Sequence, residues 1–203
     1  MEQGTNEWHQ ARLGKVTASR IGDLMAKTKS GYAASRENYM SQLICERLTS
    51  MPAKTFVSSD MQWGTDTEPL ARAAYETQKM LFVTQVGFID HPTIPMSGAS
   101  PDGMIGDDGL IEIKCPSTSQ HIETLLKNEI KTGYMYQMQW QMMTTERSWC
   151  DFVSYDPRMP EALQLKIIHV PFNKTLAETI SAEVTKFLDE LNEKISKLEK
   201  LIQ

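Results

Sequence analysis

Three side chains in this sequence have types and spacing suited to chemistry: Asp102, Glu112 and Lys114. Nine residues separate Pro101-Asp102 from Glu112-Ile113-Lys114. Gly98 to Ile105 is expected as one strand and Leu110 to Lys114 as the next. Gly106-Asp107-Asp108-Gly109 supplies residues that tolerate a tight turn. Side chains alternate along a strand, so Glu112 and Lys114 share one face while Ile111 and Ile113 take the other. A turn centred on Asp107 and Asp108 pairs Ile105 with Leu110. Asp102 then falls near Ile113, within diagonal reach of Glu112 and Lys114. Two adjacent carboxylates repel each other, and a divalent cation resolves the repulsion. Mg²⁺ takes hard oxygen ligands, acidifies a bound water and offsets charge on a phosphate. Lys114 would orient or deprotonate that water, or neutralise charge in the transition state. Glu112-Ile113-Lys114 alone reads better as an inconsequential surface pair. Pro101-Asp102 and a turn that unites the three groups tip the balance toward phosphodiester hydrolysis.

The surrounding elements follow from periodicity. Arg36 to Thr49 and Asp60 to Met80 read as helices. Phe82 to Ile89, rich in β-branched and aromatic residues, reads as a strand. Thr118 to Lys131 is amphipathic and is expected to end before Gly133; Tyr134 to Thr145 follows as a helix dense in Met and Gln. Gln137 and Gln141 lie one helical turn apart on it. Trp149 to Tyr155 and Ala162 to Val170 are expected strands. Thr175 and Glu178 form a capping box opening an amphipathic helix over 175–203. Its first half is expected to cover the sheet. His169 reads as structural, because no ligand partner lies at sequence spacing. The expected fold is α/β: one domain over 1–203 with a central mixed β-sheet flanked by helices.

Net charge is −5 over 203 residues, which excludes a uniformly basic surface. The balance is uneven: from Arg12 to Arg36 there are six basic residues against Asp23. A basic patch on an acidic body can still grip phosphates. The N-terminus is polar and acidic, unlike a secretory signal, and no apolar run is long enough for a membrane span. Cytoplasmic residence and no membrane association are therefore expected. Cys45, Cys115 and Cys150 are odd in number and far apart, as expected of reduced thiols.

Pro101-Asp102…Glu112-x-Lys114 resembles the PD-(D/E)xK nuclease motif. Ser100-Pro101-Asp102-Gly103, Glu112 to Pro116, and Tyr155 to Met159 together resemble lambda exonuclease and the YqaJ-type viral recombinases. Trp8, Arg12, Gly14, Thr17, Ala18 and Ser19 match the family's opening pattern, so the resemblance runs from about Trp8 to at least Met159. It implies a restriction-endonuclease-like core and a phage or prophage enzyme of a bacterial host cell. Such an enzyme resects double-stranded DNA ends 5′→3′, yielding 5′-mononucleotides and 3′ overhangs for a single-strand annealing protein. It further implies a homotrimer ring, with Mg²⁺ as cofactor and Mn²⁺ as substitute. Asp102, Glu112, Glu68 and the Ile113 backbone carbonyl would be metal ligands. Lys114 and Gln137 would complete the catalytic set, with Gln139 a weaker match than Gln137. Arg12, Ser19 and Ser100 would hold the 5′-phosphate, with Thr17 or Ser19 also able to cap a helix. Trp8 reads as a core anchor, and Arg158 as facing DNA or pairing with Asp156. An endonuclease of the same superfamily and a catalytically inactive DNA-binding protein stay open as alternatives.

Overall fold

In the computed structural model, residues 2–53 and 58–202 are described. The N-terminal part contains α1 (Asn6–Arg12), β1 (Val16–Thr17), α2 (Ile21–Met25), a small hairpin of β2 (Lys27–Thr28) and β3 (Gly31–Tyr32), and α3 (Ala34–Thr49). There follow α4 (Ser59–Lys79), β4 (Ile89–Asp90), β5 (Ser97–Ala99), β6 (Gly103–Ile105) and β7 (Gly109–Lys114). The chain continues through α5 (Thr118–Lys127), α6 (Thr132–Thr145), β8 (Trp149–Tyr155), β9 (Leu165–Pro171) and α7 (Lys174–Glu199).

The main sheet has strand order β6-β7-β8-β9. β7 and β8 are parallel and the outer pairs antiparallel, so the sheet is mixed. The alternation in β7 divides its side chains between two helices. Ile111 and Ile113 pack with Ala71 and Tyr75 of α4, whereas Leu110 packs with Met138 and Met142 of α6. Helices thus cover both faces, the arrangement that an apolar run such as β8 requires. A third cluster joins Val16, Leu24, Tyr39, Leu43 and Trp140 to Ile180, Val184 and Phe187. The apolar stripe of α7 therefore seats on α2, α3 and α6 rather than on the sheet. Among the described residues no helix is long and apolar enough to cross a membrane.

Several expected elements fall differently. The strand expected over Gly98 to Ile105 is two strands in two sheets: β5 lies between β1 and β4, while β6 edges the main sheet. Ser100-Pro101-Asp102 makes the crossing, as a proline lacking a donor favours. The hairpin register is one residue from expectation: Ile105 pairs with Gly109, not Leu110. Gly106 has φ +51°, and a three-residue turn replaces the two-residue one. Phe82 to Ile89 is not a continuous strand. Thr84 alone bridges Met104, because β6 offers only a short outer edge. Ile89 begins β4, and between them Gln3 tethers the stretch by donating to the carbonyls of both Val86 and Pro101.

Helix boundaries shift for local reasons. α5 stops at Lys127 because Asn128 adopts the left-handed conformation. Gly133 is no breaker: it lies inside α6, 3.1 Å from where a Cβ on Gly22 would stand, so the pair lets α2 and α6 touch backbone to backbone. The expected capping box at Thr175 is not used. Asn173 caps α7 by accepting from the Leu176 N–H, and its own N–H is fixed by Gln139 Oε1 at 2.7 Å. Residue 203 of the expected C-terminal helix lies outside the described residues. His169 has a partner after all, Asp151 on the neighbouring strand at 2.8 Å, which also accepts from the Tyr75 hydroxyl. Sequence distance hid that pair. All three cysteines are free.

Candidate active site

The side chains of β7 meet those of α4 and α6 at the point where the hairpin opens. Glu112 is fully buried at the centre of the main sheet. A buried carboxylate needs its oxygens satisfied, and α6 does this with two amides. Gln137 Nε2 donates to Oε1 at 2.6 Å and Gln141 Nε2 to Oε2 at 2.7 Å. Lys114 forms an ion pair with the same Oε1. Asp102 leaves the crossing loop beside them. Its Oδ2 accepts from the Ile113 N–H at 2.6 Å, a bond that the one-residue register shift still permits. The structure thus shows the Ile113 N–H in use, and Ile113 itself lines the cavity described below. From α4, Glu68 reaches the same region, held by an ion pair to Arg72 one turn along.

These charges act on one another. Burial pushes the Asp102 carboxyl well above its ordinary range, and the charges of Glu112 and Glu68 push it further, against Lys114. Burial also raises Glu68, with Arg72 opposing and Glu112 reinforcing. Burial alone would lower the Lys114 ammonium, but Glu112 and Asp102 overcome it and raise it above the usual lysine range. Three carboxylates face two cations, Lys114 and Arg72, which leaves the cluster short of positive charge. All the donors are hard oxygens. The residues therefore fit a hard divalent cation such as Mg²⁺. Among the described residues no three His, Cys, Asp or Glu side chains converge as a ready-made cage. Asp102, Glu68 and Lys114 open onto a cavity of about 740 Å³ walled also by Trp63, Tyr134 and Arg158. Glu112 lies behind Lys114 and does not line it.

A second cluster lies two residues upstream of Asp102. Ser100 Oγ accepts from Arg12 Nη1 at 3.1 Å and from Trp8 Nε1 at 2.9 Å. The Arg12 guanidinium lies 4.1 Å from the centroid of the Trp8 ring. Burial lowers its pKa from the ordinary arginine value, with Tyr39 and Glu46 opposing. Trp8 is half-buried and clamps Arg12; it is not a core anchor. Ser19 is exposed and follows β1, whose parallel pairing with β5 places it at the same sheet end as Ser100. Among the described residues no side-chain hydrogen bond joins Ser19 to Arg12 or Ser100, and neither Thr17 nor Ser19 caps a helix by its side chain.

Sequence reasoning missed Arg72 and Tyr134, and left Gln141 without a role. The spacing of Gln137 and Gln141 was the available signal for the paired amides. Tyr134 lies under Lys114, its ring centroid 5.0 Å from Nζ. Gln139 turns away, donating to the Pro171 carbonyl at 3.0 Å.

A family model described as the YqaJ-like viral recombinase domain matches residues 7–148. The chain is 50% identical to an alkaline exonuclease, LHK-Exo, from Laribacter hongkongensis, with 98% of each chain covered and a TM-score of 0.92. A structure of LHK-Exo in complex with dAMP matches with the same figures. A phage-related exonuclease from Haemophilus somnus 129PT shares the fold at 15% identity, with a TM-score of 0.74 over 91% of this chain and 96% of that one. No curated protein matches the chain.

Proposed function

The chain belongs to the YqaJ-like viral recombinase domain family, and from that premise we propose that it is a recombination exonuclease: a Mg²⁺-dependent enzyme resecting double-stranded DNA ends 5′→3′. The observation that carries the reading is the grouping of Asp102, Glu68 and Lys114 at one cavity, with Glu112 buried directly behind Lys114, in a chain half identical to an alkaline exonuclease. A bound divalent cation supplies an acidified water and charge neutralisation at the phosphate. Asp102, Glu112 and Glu68, with the Ile113 carbonyl, would hold that cation, with Mn²⁺ a substitute. Gln137 and Gln141 fix the orientation of Glu112 from behind. Lys114, paired with Glu112, would orient or deprotonate the attacking water, or offset growing charge. LHK-Exo has been crystallised with dAMP, and a deoxynucleoside monophosphate is the product expected here. The same reading assigns a homotrimer ring and a single-strand annealing partner that takes up the 3′ overhang.

Linear and covalently closed circular duplex, each incubated with Mg²⁺, separate this reading from its rivals. Loss of the linear form alone is expected. Cutting of the circle would indicate an endonuclease, and cutting of neither would indicate a binding protein.

Arg12 and Ser100 form the proposed 5′-phosphate pocket, with Ser19 at the same sheet end. Ser100 spends its lone pairs on Arg12 and Trp8, which leaves its proton to donate. A guanidinium–phosphate contact is charge-assisted. Ends bearing a 5′-phosphate should therefore be degraded about tenfold or more faster than dephosphorylated ends. Arg12→Ala should erase most of that ratio. Equal rates on both kinds of end with the wild-type protein would remove the pocket from the mechanism.

A further inference from the structure

Arg158 stands in the loop after β8, on the wall of the same cavity as Lys114. An arginine that is 47% exposed ordinarily samples many rotamers. This one is fixed. Its Nε and Nη2 donate to the two oxygens of Asp156 at 2.7 and 2.9 Å, and its backbone N–H donates to Oδ1 at 3.0 Å. Its guanidinium carbon lies 4.4 Å from the centroid of the Trp63 ring. The anchor is itself rigid: Asp156 is fully buried and also accepts from Thr118 Oγ1 at 2.7 Å. Hydrogen bonds from Arg158 and Thr118 overcome the effect of burial and bring the Asp156 carboxyl down to about 2.

A latch between β8 and α4 would be complete with Nε, Nη2 and the Trp63 stack. Nη1 has no hydrogen-bond partner among the described residues. A planar guanidinium with one edge anchored and one nitrogen free is preorganised for a phosphate oxygen, because its ordering entropy is already spent. The other cation on this cavity wall, Lys114, is committed to Glu112. We propose that Arg158, held by Asp156 and Trp63, grips a phosphate group within the active-site cavity, separately from the Arg12 pocket. The inference rests on the nuclease reading and names a substrate contact for it. Two sources share this chemistry, the backbone of the strand in the cavity and the nucleoside monophosphate leaving it.

The test compares wild type with Arg158→Gln and with Asp156→Asn/Arg158→Gln. The double variant removes the cation together with its buried anion, so net charge is unchanged and no carboxylate is stranded. Duplex binding is measured without divalent cation across a salt series, and inhibition of cleavage by added dAMP is measured with Mg²⁺. A strand contact predicts about tenfold weaker duplex binding in both variants, with the salt slope of Arg158→Gln flatter by about 0.9. A product contact predicts unchanged duplex binding and about tenfold weaker inhibition by dAMP. Either loss supports the grip and identifies its source. If the double variant folds and matches wild type in both assays, Arg158 is a latch and the proposal is overturned. A wild-type protein that neither binds nor cuts duplex would instead overturn the nuclease reading beneath it.

Discussion

Asp102→Asn should abolish cleavage, by about a thousandfold or more, while the fold stays intact or becomes firmer. The loss corresponds to about 4 kcal/mol of barrier, a reasonable scale for removing a charged ligand from a cation that activates the nucleophile. Stability should move the other way. Asp102 carries its charge at a cost, since burial and then Glu112 and Glu68 all oppose ionisation. Asparagine removes that charge and keeps an oxygen to accept from the Ile113 N–H, so the hairpin retains its tie. Without added metal, the melting temperature of the variant should equal or exceed that of wild type. Adding Mg²⁺ should raise it less than in wild type, because ligand stabilisation scales with affinity for the folded state. EDTA should silence the wild-type enzyme completely. A folded Asp102→Asn protein within tenfold of normal turnover would remove Asp102 from the chemistry.

The sequence was most legible where local chemistry and long-range contact coincide. A strand with Glu112 and Lys114 on one face, a glycine-rich turn and Pro116 leave few other arrangements, and the hairpin forms. The register differs by one residue because Gly106 enters the left-handed region and starts the turn one residue before Asp107. The crossing at Ser100 to Asp102 was hidden for a related reason. The residues of β5 and β6 both have strand character, and only tertiary pairing with β1 on one side and β7 on the other divides them. Helices α3 and α4 were clear because their apolar spacing decides their faces. Gly133 misled because a glycine that breaks a helix and one that admits a neighbouring backbone look alike in sequence. Contacts between elements far apart in the chain were least visible. Arg72, Tyr134 and the Asp151–His169 pair acquire meaning only once α4, α6 and the sheet are stacked. Gln141 was within reach, since two amides one turn apart facing a buried glutamate is a spacing argument. Completing it required knowing that Glu112 is fully buried.

Lys114→Ala should slow turnover by about a hundredfold to a thousandfold and leave cation affinity unchanged or tighter. The two effects separate because Lys114 is not among the proposed ligands. Its ammonium shares Glu112 Oε1 with Gln137 and faces the ring of Tyr134. Burial would make it a weaker base for protons, but Glu112 and Asp102 outweigh burial and keep it charged. A lysine fixed in the protonated form can donate to the attacking water or offset charge on the phosphate. The expected loss is in charge stabilisation and alignment. Truncation has a further consequence in the metal-free protein. Glu112 keeps its two amide donors but loses its counter-charge, with Asp102 and Glu68 still nearby. The variant should be less stable by about 1–3 kcal/mol, the scale of leaving a buried polar group uncompensated. A divalent cation would restore the missing charge. Added Mg²⁺ should therefore raise the melting temperature of Lys114→Ala more than that of wild type. Lys114→Arg should recover the stability but only part of the rate, since a planar fork cannot reproduce the position of a compact ammonium. Near-normal turnover in Lys114→Ala would place the lysine outside the chemistry. Lost turnover with no thermal response to Mg²⁺ would mean that Lys114 acts by shaping the ligand set rather than by serving the water.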